Sequence, residues 1–203
     1  MTPRSVLLAT RSEGKLRELR PLFEAAGIAV ADLREAGLAP SPDEDVVEAF
    51  DTFEVNALAK ARYFHALTGR PTVADDSGLE VDVLHGHPGV RSKRWSGRTD
   101  LSGQALDDAN NARLLAALRD VADPAARYVC AAAFCDGARE EVIRGETAGV
   151  IVREPRGEHG FGYDPYFLSA ELGATFGESA RDVKEGVSHR GRAFRALLER
   201  LRQ

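Results

Sequence analysis

Two cysteines, one methionine and one tryptophan are all that the 203 residues contain of the sulfur and indole side chains. Cys130 and Cys135 lie in the apolar run YVCAAAFC. Five residues apart in one strand, they face opposite sides and do not bridge each other. That excludes a disulfide scaffold and fits a reducing cytosol. His85 and His87 stand in a loop without nearby cysteines or further ligands, which reads as turn chemistry rather than a zinc site. Positive charge is also short: 27 Lys and Arg against 32 Asp and Glu give a net charge of −5. A basic face for long nucleic acid is therefore not expected, although local basic clusters remain for a small anion. No apolar run approaches a membrane span, and VLLA at 6–9 is too short for a signal h-region. Repeats and low-complexity tracts are missing. The expectation is a soluble cytoplasmic protein, with residues 1–203 forming a single domain of two lobes.

What is present alternates. SVLLA at 5–9 reads as a buried strand, followed by a helix from about Gly14 to Ala26 with a kink or break expected near Pro21. Residues 37–47 read as a Pro- and acid-rich loop. A helix over about 51–68 has Asp51 or Thr52 to cap it, with Glu54 completing a capping box, and Gly69-Arg70-Pro71 to stop it. A strand at 72–75 ends on two aspartates, LEVDVL continues extended, and a helix spans Ser102–Arg119. RYVCAAAFC and EEVIRGETAGVIV form a hairpin around Asp136-Gly137, YFL forms a short strand, and a last helix starts near Ser188. Strands alternating with helices around an antiparallel hairpin predict an α/β fold. Its mixed twisted sheet would be flanked by helices, with two lobes and a central cleft.

Four stretches carry chemistry, and each has a plain structural reading beside it. Thr10-Arg11-Ser12-Glu13-Gly14-Lys15 joins a strand to a helix N-terminus, where backbone N–H groups, hydroxyls and a lysine suit a phosphate; a capped helix with a solvated lysine fits the same residues. Glu48, Asp75 and Asp76 supply carboxylate oxygens for a hard cation such as Mg2+, and one carboxylate of such a group can serve as general base toward water. Asp76-Ser77-Gly78 also reads as a simple turn. Ser188-His189-Arg190 places two cationic groups at the positive end of a helix dipole, an arrangement that asks for an anion or acceptor; a surface ion pair for Arg190 is the plain alternative. Phe161-Gly162-Tyr163-Asp164-Pro165 combines aromatic faces for a base with a carboxylate for its N–H donors, or makes a packed turn.

Six blocks in order resemble one family: TRSEGK near the start, TFEVNALAKA at 52–61, ADDSGLEVD at 74–82, HPGVRSKRWSG at 87–97, REPRGEHGFGYDP at 153–165 and KEGVSHRGRA at 184–193. The chain resembles the inosine triphosphate pyrophosphatase family, hydrolases of non-standard purine nucleoside triphosphates (ITP, dITP, XTP). The resemblance implies that Thr10, Arg11, Ser12, Glu13, Gly14 and Lys15 cradle the triphosphate and that Lys60 meets phosphates. Glu48, Asp75 and Asp76 would hold Mg2+, Asp76 would accept the proton and Ser77 would touch substrate. Phe161, Gly162, Tyr163, Asp164, Lys184, His189 and Arg190 would enclose the purine. It further implies an elongated two-lobed fold, release of pyrophosphate, and a homodimer. The chain departs twice: Ser12 stands where the family carries Asn and lacks its double donor, and Val55 stands where it carries an acid.

Overall fold

The computed structural model describes residues 2–47 and 49–203, with the backbone alone at residues 45 and 46. Six strands form one sheet in the order β2-β1-β3-β4-β5-β6. They are β1 Ser5–Leu8, β2 Ala29–Asp32, β3 Thr72–Val81, β4 Ala125–Cys135, β5 Glu140–Ile151 and β6 Phe167–Ser169. β1 is parallel to both β2, with Val6 opposite Val30, and β3, with Leu8 opposite Val73. β5 and β6 are antiparallel, with Val150 opposite Leu168. The helices are α1 Glu13–Ala25, α2 Asp43–Val47, α3 Phe53–Thr68, α4 Gly103–Ala117, α5 Arg181–Val187 and α6 His189–Leu201. The mixed α/β class expected from the alternation is observed. No helix among the described residues is long and apolar enough to cross a membrane.

The chain divides into two compact units. The first comprises Met1–Asp76, Cys130–Gly145 and His189–Gln203. Its core joins Val6 and Leu8 of β1, Leu19 and Phe23 of α1, Val73, Cys130 and Phe134, with Phe194, Leu197 and Leu201 of α6. Phe23 meets Phe194 edge-on, with ring centroids 5.9 Å apart. These α6 residues recur at three- and four-residue steps, so one stripe of the helix faces the core. The second unit comprises Ser77–Val129 and Glu146–Ser188. Leu79, Val81, Leu114, Tyr128, Ile151, Phe167 and Phe176 build its core.

Local chemistry sets the element ends. Thr52 caps α3, its hydroxyl accepting from the Val55 N–H, and Gly69 closes that helix in the left-handed conformation at φ +66°. Asp51 and Glu54 do not form the expected box; Glu54 pairs with Arg144. At the hairpin turn the Asp136 carboxylate accepts from the N–H groups of Ala138 and Arg139. Four further features depart from the sequence reading. Pro21 leaves α1 unbroken, because Pro21 and Arg17 both lie on its exposed side, where water can take up the carbonyl that loses its donor. The acidic loop contains the short helix α2, and α5 precedes α6. Finally, Asp76-Ser77-Gly78 is not a turn: β3 runs straight through it. A Cβ at Gly78 would collide with the Gly89 carbonyl and the Ser92 hydroxyl, and the same hydroxyl accepts from Leu79 N–H at 2.8 Å. The glycine there serves close approach within a strand.

Candidate active site

An extended strand sends Asp75 and Asp76 to opposite faces, and their surroundings differ accordingly. Asp75 is 1% exposed. Lys15 Nζ stands 3.0 Å from its Oδ2 and Arg190 Nε 3.4 Å from the same oxygen. Lys60 Nζ donates to the Asp75 backbone carbonyl at 2.6 Å. Burial pushes the Asp75 carboxyl up, but Lys15, Arg190 and Lys60 outweigh it and hold the group well below the usual carboxylate range. The Cys130 thiol, 3.8 Å from Asp75 Oδ2, is pushed up by burial and by that charge. It stays a neutral thiol, inert as a nucleophile.

Asp76 is half-buried. Its Oδ2 accepts from Asn56 Nδ2 at 2.9 Å. Asn56 is itself fixed: its Oδ1 accepts from Phe50 N–H at 2.9 Å, and its Nδ2 also donates to the Phe50 carbonyl at 3.1 Å. Both amide hydrogens are thereby used, which sets the side-chain orientation.

Lys15 owes its place to the first turn of α1. Ser12 is the N-cap, with its hydroxyl accepting from Lys15 N–H, and Thr10 Oγ1 accepts from Ser12 N–H. Gly14 lies within that first turn and Glu13 is exposed beside it. Arg11 turns elsewhere: it forms an ion pair with Glu44 and donates to the carbonyls of Leu38 and Ala39.

Arg190 opens α6 and is 3% exposed; His189 beside it is buried as well. The anion that this cationic helix start asks for is supplied within the unit, since Arg190 Nη1 donates to Glu18 of α1 while Nε faces Asp75. Burial pulls the guanidinium down, but Glu18 and Asp75 outweigh it and hold Arg190 above its ordinary value. Gly145 of β5 makes room for this helix start: a Cβ there would run into the His189 carbonyl and the Ala193 N–H.

In the second unit, Lys184 Nζ pairs with Asp164 Oδ2 at 2.8 Å, both buried, and lies 5.3 Å from the ring centroids of Phe161 and Phe176. Asp164 Oδ2 also accepts from Phe161 N–H at 2.8 Å, closing the loop that carries Gly162. Phe161 is only partly buried, as is Ser77. Tyr163 is buried: it is 5% exposed, packs into the core and donates its hydroxyl to the Ser92 carbonyl at 2.8 Å. The structure places that ring in packing, the packed-turn reading of this stretch, and leaves Phe161 as the ring for stacking.

The first unit thus brings together Lys15, Lys60, Asp75, Asp76 and Arg190. Glu48, the third expected metal ligand, lies outside the described residues. Among the described residues no three His, Cys, Asp or Glu side chains gather to hold a metal ion. The donor chemistry nevertheless suits a hard cation: Asp75 is held ionised, and Asp76 beside it is an acid only half-buried. Glu18 and Asn56 are the residues the sequence reading did not single out. Glu18 follows Lys15 by three positions on α1, a spacing that puts both on one helix face.

The comparisons agree with one another. The Ham1 family profile matches residues 6–200. A dITP/XTP pyrophosphatase of Frankia alni is 50% identical over 202 residues, 98% of this chain and 97% of that protein. One from Mycobacterium tuberculosis H37Rv is 48% identical over 199 residues, 97% of this chain and 95% of that protein. Among solved structures, the Staphylococcus aureus Ham1 protein aligns with a TM-score of 0.81 at 30% identity, covering 98% of each chain. The nucleoside-triphosphatase / dITP/XTP pyrophosphatase of Mycobacterium abscessus aligns with a TM-score of 0.72 at 42% identity, covering 96% of this chain and 98% of that one. Matched from residue 6 to residue 200, this chain belongs to the Ham1 family.

Proposed function

We propose that this chain hydrolyses non-standard purine nucleoside triphosphates, dITP and XTP first and ITP with them, to the monophosphate and pyrophosphate. The observation that carries the reading is the carboxylate pair on β3, one acid embedded in cations and its neighbour held by an amide. The names of the curated relatives supply the substrate class.

Asp76 is the proposed base. Oriented by Asn56, it takes a proton from water as the oxygen attacks the α-phosphorus, in line with the departing pyrophosphate. Lys15 and Lys60 stabilise charge that builds on the leaving phosphates, with the Thr10–Lys15 loop as their cradle. Asp75 holds Lys15 and Arg190 in position. Glu48, Asp75 and Asp76 would hold Mg2+, and bound there it would draw charge from the phosphate oxygens. A phosphomonoesterase with an aspartyl-phosphate intermediate on Asp75 is not favoured, since the curated relatives are named pyrophosphatases.

For the base, Phe161 is the stacking ring and Lys184, His189 and Arg190 are the donors toward a 6-keto oxygen. Hypoxanthine and xanthine present an acceptor there and adenine presents an amino donor. Donors held in place by Asp164 and Glu18 cannot turn away, so the amino group of adenine would face donors where a 6-keto oxygen would accept from them. Two free buried cysteines accord with a cytoplasmic location, and the family resemblance supports a homodimer.

A panel of XTP, dITP, ITP, GTP and ATP with Mg2+ tests the reading. XTP and dITP should exceed ATP in kcat/KM by up to ~10⁴-fold and GTP by less, because guanine keeps the 6-keto group. ATP turned over as fast as XTP would remove the proposed specificity.

A further inference from the structure

Helix α4 takes no part in the chemistry above, yet two of its side chains grip the backbone of one residue in the aromatic loop, on the two peptide units that flank its Cα. Asp107 Oδ2 accepts from Gly162 N–H at 2.9 Å. Asn111 Nδ2 donates to the Gly162 carbonyl at 3.0 Å. Asp107 and Asn111 lie four positions apart, so they share a helix face. The next residue on that face of α4, Leu114, is fully buried in the core of the second unit, which makes the helix a rigid mount. A neighbouring amide, Asn110, ties the same helix to Ser96 N–H at 2.7 Å and to the Lys93 carbonyl at 3.0 Å.

Gly162 is the residue between Phe161 and Tyr163. On one side the loop is closed by Asp164 accepting from Phe161 N–H. On the other, Tyr163 is anchored through its hydroxyl to Ser92. What remains to be fixed is the backbone that aims the partly buried Phe161, and α4 holds the donor of the 161–162 peptide and the acceptor of the 162–163 peptide. A surface loop rich in glycine has little stiffness of its own, so its ring is placed by whatever holds its backbone.

We propose that Asp107 and Asn111 are positioning residues for purine recognition: they clamp the Gly162 backbone on both sides of its Cα and thereby preorganise the Phe161 ring. The proposal rests on the reading of Phe161 as the ring on which the purine stacks. The two residues touch no phosphate group in this account, so their loss weakens the base end of substrate binding and leaves the hydrolytic step alone.

Steady-state kinetics with XTP on Asp107→Ala, Asp107→Asn, Asn111→Ser, Phe161→Ala and the Asp107→Ala/Phe161→Ala double variant tests this. A bond to a charged acceptor is worth more than a neutral one, so Asp107→Ala should raise KM about 5–20-fold with kcat nearly unchanged. Asp107→Asn keeps an acceptor oxygen and should recover most of that loss; Asn111→Ser should raise KM about 2–10-fold. The double variant should bind no worse than Phe161→Ala alone, because the clamp acts through the ring. An additive double variant, a fall in kcat in place of a rise in KM, or unchanged KM in Asp107→Ala would overturn the clamp while a weakened Phe161→Ala leaves the stacking reading intact. Phe161→Ala with an unchanged KM sinks the stacking reading and the clamp with it. If Asp107→Ala does not fold, Asn111→Ser decides alone: an unchanged KM there overturns the proposal.

Discussion

Asn56 Nδ2 donates to Asp76 Oδ2 at 2.9 Å while the rest of the Asn56 amide is bound to the Phe50 backbone. The amide therefore acts as a strut from the start of α3 to the proposed base on β3. Its removal takes the Asn56 partner from Phe50 N–H and carbonyl and takes from Asp76 one of the bonds that orient it. Asn56→Ala should cost roughly 1–3 kcal/mol of stability and lower kcat about tenfold or more, with KM changing less. Thermal melts together with XTP kinetics check both. A variant as active as the wild type would deny Asn56 the orienting role.

Asp75 links the site to stability. Its folded-state carboxyl titrates below its ordinary value of 3.8, so ionisation stabilises the fold above that range. The contribution is lost as pH falls through the depressed value. Asp75→Asn leaves Lys15 and Arg190 without their shared anion and should cost about 3–5 kcal/mol near pH 7. Urea midpoints of the two proteins should draw together as pH falls below about 4. A gap that stays constant with pH would show that the charge on Asp75 contributes nothing.

Arg190 is braced by Glu18 and Asp75, so it is structural before it is anything else. Arg190→Ala should remove about 3–5 kcal/mol, because two carboxylates lose their buried partner. Glu18→Gln should cost less, since it keeps an acceptor for the guanidinium. Chemical denaturation of both variants settles the order. An Arg190→Ala protein as stable as the wild type, with only its purine selectivity changed, would make Arg190 a base reader alone.

The contrast between what could and could not be read from the chain has a physical cause. α3 was legible because Thr52 and Gly69 mark its ends with local chemistry. The hairpin at Asp136 was legible for the same reason. The passage of β3 through Asp76-Ser77-Gly78 was not, since it depends on Ser92, whose hydroxyl meets Leu79 thirteen positions away. α5 has seven residues, too few to display an apolar period. The carboxylate pair was visible, but its partners were not: Arg190 meets Asp75 across 115 positions. The cap at Ser12, one of the two readings of its loop, was legible from its place between a strand and a helix. Tyr163 sits in a Gly-Pro loop that reads either as a stacking face or as a packed turn, and only the fold decides for burial.

The most direct test is ³¹P NMR of the products from XTP and Mg2+ with wild-type protein and Asp76→Asn. The wild type should release pyrophosphate and the monophosphate, with no orthophosphate. Asp76→Asn should still bind nucleotide but turn over roughly 10²–10⁴-fold more slowly. Orthophosphate as the first product, or wild-type turnover in Asp76→Asn, would contradict the account.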